Sequence, residues 1–171
     1  MNKLKVYQWP HETLNQISIP CEPGSYSDEF EKELKTLMVE SNGIGLAANQ
    51  VGITERFFCI GCSYFVHFKE PTVIYNPMII TKATEEMVDE EGCLSFPKIL
   101  VKVKRPKAIE VAYQDNKGKT HTAKLIGYEA KCFQHENDHL DGITFNMKSK
   151  TRWSMKKVIR PKKVEKDHRF I

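Results

Sequence analysis

The sequence predicts an α+β fold in which small antiparallel or mixed β-sheets pack around a central helix, with an amphipathic helix nearer the N-terminus. Three observations lead there. Apolar residues recur at helical spacing between residues 30 and 38, short apolar runs broken by proline and glycine fill residues 55–125, and Gly127 and Gly142 bracket a second helix holding His135-Glu136-Asn137-Asp138-His139. No regular β-α-β alternation is present, which excludes a doubly wound parallel sheet.

Taken in order, Met1 to Tyr7 runs into what reads as a strand. Ser27 is a credible N-cap, and Phe30, Leu34, Leu37 and Met38 follow at i, i+4, i+7 and i+8, which defines the first helix up to Asn42-Gly43. Gly43-Ile44-Gly45-Leu46-Ala47-Ala48-Asn49-Gln50-Val51-Gly52 comes next; its small residues let backbone approach a ligand closely, and it lacks the Lys-Ser/Thr ending of a phosphate loop. Strands are expected at 57–60, 73–75, 78–80, 101–103 and 109–113, and Asp115-Asn116-Lys117-Gly118 should turn the chain back through 120–125. Gly127 then opens and Gly142 closes the second helix. The last twenty residues read as a weak helix broken by Pro161.

A chain of 171 residues, 40% hydrophobic and 28% charged, suits one globular domain with one real core. It holds no apolar run near the roughly 18 residues of a membrane span and no leader-like segment, so a cytoplasmic or equivalent reducing setting is expected. Five irregularly spaced cysteines agree. Cys59 and Cys62 sit in an apolar strand-like run, where free cysteine packs as a small hydrophobe, and Cys21 reads the same way. The charge is uneven: from Lys148 onward ten Lys and Arg face Glu165 and Asp167, so residues 1–147 carry −4 of the total of +4. This divides the chain into a catalytic body, 1–147, and a basic tail, 148–171, which serves either solubility or docking on nucleic acid or the ribosome surface.

The helical block carries the chemistry. At 3.6 residues per turn, His135 and His139 project about 40° apart and Glu136 lies about 60° beyond His139, so two imidazoles can share one metal while the carboxylate holds its water. Tyr128 and Cys132 continue the same face backward as an apolar pocket wall. Such a site needs a third ligand. The metzincin protease pattern would place a histidine where Phe145 stands, and the one downstream glutamate is Glu165 in the tail. Upstream, Glu91-Gly92-Cys93-Leu94-Ser95 places a cysteine in a segment rich in loop formers, where a ligand role and a packing role are both open.

Three segments, Gly43 to Gln50, Glu91 to Ser95 and His135 to His139, resemble in order and spacing the signature motifs of peptide deformylase, and the likeness extends over most of residues 3–147. The resemblance implies a metallohydrolase that removes the N-formyl group from the formylmethionine of nascent polypeptides by attack of metal-bound hydroxide. It makes Cys93, His135 and His139 the ligands of one divalent ion, Fe2+ in that family, with Zn2+, Ni2+ or Co2+ able to replace it. Glu136 becomes the general acid/base, and Gln50 with the Leu94 backbone N–H binds the developing oxyanion. Ile44 and Gly45, with Tyr128 and Cys132, then line a slot for the methionine side chain. The expected partners are N-formylmethionyl peptides and, through the tail, the ribosome, for a monomer that binds neither DNA nor membrane. A metalloprotease is the nearest enzyme alternative, and a catalytically silent ribosome-associated binder the alternative from another class.

The chain departs from the family at several places. An apolar residue is usual where Asn137 stands, and its amide is expected to be buried against another buried polar group. Proline is frequent at Asn49, arginine or an apolar residue at Lys131, and some members are basic at Leu100. Arg105 and Glu91 are expected to fix the cysteine segment, with Asp138 behind the ligands.

Overall fold

A computed structural model describes residues 3–148 of the chain. Two helices, α1 (Asp28–Glu40) and α2 (Gly127–Leu140), accompany seven strands: β1 (Gly45–Ala47), β2 (Phe57–Ile60), β3 (Thr72–Lys82), β4 (Glu86–Cys93), β5 (Phe96–Pro106), β6 (Ala108–Gln114) and β7 (Thr120–Ile126). Five strands form one antiparallel sheet in the order β1-β2-β3-β6-β7, and β4 pairs with β5 as a separate antiparallel hairpin.

Strand periodicity explains how the sheet sits between the helices. In β2 the side chains alternate: Phe58 and Ile60 join a cluster with Ile44, Ile74, Phe133 and Leu140 toward α2, while Phe57 and Cys59 join Leu34, Met38, Leu46 and Tyr75 toward α1. Both faces of β2 are therefore covered, which is why Phe57-Phe58-Cys59-Ile60 reads as an unbroken apolar run. Burying one such side chain stabilises by roughly 1.5–3 kcal/mol. Ser27 Oγ accepts the Phe30 N–H at 3.3 Å and starts α1. Glu31, on the inner face of α1, accepts the Tyr75 hydroxyl at 2.7 Å. All five cysteines are free and buried.

The structure departs from the sequence expectation in four places. Residues 3–7 form no strand; instead the Tyr7 N–H donates to Gln50 O at 2.7 Å and the Trp9 N–H to Ser95 O at 2.9 Å, so this segment laces two loops together. The runs 73–75 and 78–80 are one strand, β3, with an irregularity between Tyr75 and Met78 where Asn76 has φ 47°. The Asn76 amide takes over the lost ladder bonds, accepting from Cys21 N–H and donating to Cys21 O. Cys93 lies not in a loop but at the end of β4, an acidic strand that apolar periodicity does not reveal. Asn137 is half-buried and donates to Asp141 at 3.2 Å, a partner whose side chain is 41% exposed, while its own Oδ1 is buried without a partner. The expected Pro161 break and most of the basic tail lie outside the described residues. Among the described residues no helix is long and apolar enough to cross a membrane.

Exchanging Asn137 for Leu removes an unpaired buried oxygen at the loss of one half-exposed hydrogen bond. It should stabilise by about 1 kcal/mol and raise Tm by about 2–4 °C, read by thermal denaturation; a lowered Tm would contradict this.

Candidate metal centre

The inner end of α2 meets the tip of the β4–β5 hairpin and the glycine-rich segment, and the three sequence motifs converge there. Cys93 Sγ, His135 and His139 each offer one ligating atom, and these atoms lie within 4.8 Å of one another, all three residues buried. Cys93 Sγ stands 3.3 Å from His139 Nε2, close to the roughly 3.5 Å separation of sulfur and nitrogen in a tetrahedral zinc-type site. His135 directs Nδ1 to Glu91 Oε2 at 2.9 Å, which leaves Nε2 as a buried atom without a partner. An orphaned buried imidazole nitrogen beside a buried thiol and a second imidazole is what a divalent ion would satisfy, and the donor set fits one.

Burial pushes the Cys93 thiol up and, with the neighbouring His135, pushes the His139 imidazole well below its ordinary range. The protein alone therefore favours a neutral Cys93 thiol and a neutral His139 imidazole. A bound cation would keep both imidazoles neutral with lone pairs free and would draw the thiol to its thiolate.

Glu136, one residue beyond His135, is fully buried, and neither carboxylate oxygen has a hydrogen-bond partner. Burial pushes its pKa well above the usual carboxylate range, against the opposing pull of Arg105. Gly45 makes this placement possible: a Cβ on Gly45 would overlap the Glu136 carboxylate. The close approach allowed by the glycine-rich segment is thus to the chain's own acid.

Gln50 is held from both ends. Its Oε1 accepts the Ala47 N–H at 2.8 Å, and its Nε2 donates to Ser95 Oγ at 3.0 Å and lies 3.5 Å from Cys93 Sγ. Leu94 follows Cys93 in the hairpin turn. Ile44 and Cys132 share one fully buried cluster, the Cys132 thiol lying 3.6 Å from Ile44 O, and Tyr128 packs at its half-buried edge. Phe145 is also core, 5.1 Å from the Phe96 ring and 5.8 Å from the His135 ring.

A charged network supports the Cys93, His135 and His139 side chains. Glu91 is wholly buried and binds Arg105 through two nitrogens, one of them at 2.8 Å, while Arg105 Nη1 reaches Asp138 Oδ2 at 2.8 Å. Burial would raise the Glu91 pKa, but the Arg105 and His135 contacts outweigh it and hold the carboxyl at about 2. Asn49 Nδ2 donates to the His139 carbonyl and ties the glycine-rich segment to α2. Sequence spacing does not reveal two further contacts. Lys131 is buried, with Nζ 2.6 Å from Asp89 and 4.0 Å from the Tyr128 ring centre, and the Glu129 carboxylate receives the N–H groups of Val66, His67 and Phe68.

Comparison with known proteins places this arrangement. The polypeptide deformylase family model matches residues 3–154. The chain is 37% identical over 167 residues to a peptide deformylase of Novosphingobium aromaticivorans, covering 82% of this chain and 86% of that one. It is 43% identical over 121 residues to one of Thermotoga petrophila, covering 69% and 71%. The fold is similar to the crystal structure of peptide deformylase from Thermotoga maritima, with a TM-score of 0.79, 33% identity and coverage of 88% of this chain and 100% of that one. It is likewise similar to the Met-Ala-Ser-bound class I type b peptide deformylase from Acinetobacter baumannii, with a TM-score of 0.76, 30% identity and coverage of 85% and 97%.

Cobalt reports directly on the proposed sulfur ligand. Titrating Co2+ into the metal-free protein should produce a thiolate-to-metal charge-transfer band in the near ultraviolet, and Cys93→Ser should abolish it while d–d bands from the two histidines persist. An unchanged band in the variant would remove Cys93 from the ligand set.

Proposed function

The chain belongs to the peptide deformylase family, and on that basis we propose that Cys93, His135 and His139 hold its divalent ion, with Glu136 as the acid/base beside it. The activity is hydrolytic removal of the N-formyl group from the N-terminal formylmethionine of nascent polypeptides. The observation that carries the residue assignment is the convergence of one thiol and two imidazoles next to a buried carboxylate without a hydrogen-bond partner.

A divalent ion held there supplies Lewis acidity, which acidifies water and polarises the formyl carbonyl. The chain's own residues do the remaining work. Glu136 takes a proton from the attacking water as its oxygen bonds to the formyl carbon, and returns a proton to the peptide nitrogen as the C–N bond breaks, so formate and a free amine leave. Burial raises the affinity of its carboxyl for protons, which favours taking one from water, and a cation beside it would favour giving the proton up. Gln50 Nε2, pinned by Ser95 and Ala47, and the Leu94 N–H donate to the oxyanion as it forms. Ile44, Gly45, Tyr128 and Cys132 line the methionine slot; the shared cluster of Ile44, Cys132 and Tyr128 supports that assignment.

Ferrous iron is the ion this account assigns, by resemblance to the family, and Zn2+, Ni2+ and Co2+ suit the same donors. Residues 1–147 form the catalytic body of a cytoplasmic monomer, and the basic tail, 148–171, offers its charge to ribosomal RNA.

Formate release from formyl-Met-Ala-Ser by iron-loaded protein tests the assignment. Glu136→Ala at equal metal content should lose nearly all turnover, and Gln50→Ala should lose about 10²- to 10³-fold in kcat with metal retained. Full turnover by Glu136→Ala would contradict the proposed acid/base.

A further inference from the structure

Residues 62–68 form a compact loop, closed where the Cys62 N–H donates to Phe68 O at 3.0 Å. Its two phenylalanines, Phe65 and Phe68, are buried in the apolar cluster that holds Ile44 and Cys132. Tyr64 and Phe65 bring their rings 6.2 and 6.4 Å from that of Tyr128. One carboxylate fastens this loop to α2. Glu129, 5% exposed, accepts the Val66 N–H at 3.2 Å, the His67 N–H at 3.0 Å and the Phe68 N–H at 2.7 Å.

Three consecutive backbone donors converging on one anion form a nest, and here the anion comes from the chain itself. Its position in sequence decides what the nest governs. Glu129 directly follows Tyr128, so the carboxylate that captures the loop and the ring that the loop backs share one turn of helix. A second polar anchor of the loop, His67 Nε2 at 2.8 Å from the Tyr113 hydroxyl, fastens it to β6 and not to α2. Glu129 therefore ties the loop to the helical turn that carries Tyr128 by directional bonds.

We propose that Glu129 is a positioning residue for substrate selection: by capturing the N–H groups of residues 66–68 it holds Tyr64 and Phe65 against Tyr128 and fixes the outer wall of the methionine slot. The inference rests on the assignment of Tyr128 to that slot. The described hydrogen bonds of the Glu129 carboxylate all go to the loop, so its loss should act on substrate selection and not on the chemical step.

The test compares Glu129→Ala, Glu129→Gln and Tyr128→Ala with wild type at equal metal content. The substrates are formyl-Met-Ala-Ser and formyl-Phe-Ala-Ser, and hydrogen exchange is followed at the amides of residues 66–68. In Glu129→Ala, KM for the formyl-Met peptide should rise about fivefold with kcat within about twofold, and the preference for formyl-Met should shrink. Amide exchange at 66–68 should accelerate. Glu129→Gln keeps one acceptor oxygen and should fall between the two; if Glu129→Ala fails to fold, this variant decides. An unchanged preference ratio and KM in the Glu129 variants, with Tyr128→Ala altered, overturns the positioning role alone. An unchanged ratio in Tyr128→Ala overturns the slot assignment and this inference with it.

Discussion

The Glu91 carboxylate is wholly buried, takes two nitrogens of Arg105 and stands 2.9 Å from His135 Nδ1, and through these contacts β4, β5 and α2 meet at one point. Burying this much charge costs several kcal/mol per ion, and the ion pair recovers that cost only when every partner is in place. Removing one partner would leave an uncompensated charge, a loss of roughly 3–5 kcal/mol. The network therefore contributes little net stability but fixes one geometry. Glu91 selects the His135 tautomer that leaves Nε2 free, and it lies two residues before Cys93 on the same strand, so one anion orients the proposed nitrogen ligand and positions the proposed sulfur ligand.

The close approach at Gly45 works in the same direction. Because β1 lacks a side chain there, the Glu136 carboxylate can sit against backbone, away from bulk water. Dryness raises its proton affinity and strengthens any charge interaction within the site. Gln50, at the end of the same segment, is pinned at Oε1 and Nε2 before substrate arrives. A donor that need not reorganise during the reaction is the arrangement that stabilises a developing oxyanion most effectively. The lacing of Tyr7 to Gln50 and of Trp9 to Ser95 gives the N-terminal segment a part in holding both loops.

Legibility in the sequence followed the range of the physics. Helix α1 was readable because its apolar residues repeat at 3.6 behind the Ser27 cap, and α2 because Gly127 and Gly142 bracket the His135–His139 block. The doubly covered β2 was readable as an apolar run. Strand β4 was not: its exposed positions hold Glu86, Val88 and Glu90 in place of a polar-apolar alternation, and its three buried positions come at the end, as Glu91, Gly92 and Cys93. Its identity as a strand depends on pairing with β5, which lies later in the chain. Asn76 and Pro77 read as a break because local rules place turns there, yet long-range bonds from Asn76 to Cys21 carry the strand through. The thiol and the two imidazoles that converge beside Glu136 were legible as residue types in motifs. Their support was only partly so: Arg105 and Asp138 were foreseen, but the Glu91 contact to His135 spans 44 residues and the Glu129 nest joins a helix to a loop that no motif marks.

If the shared Glu91 carboxylate organises the centre, an isosteric change that removes its charge must weaken metal binding without unfolding the chain. The direct measurement is metal affinity of Glu91→Gln against wild type, by competition with a chelator, alongside circular dichroism of both proteins. The expected result is a native spectrum with affinity lowered about 10- to 100-fold. A folded variant that binds metal as tightly as wild type would contradict it.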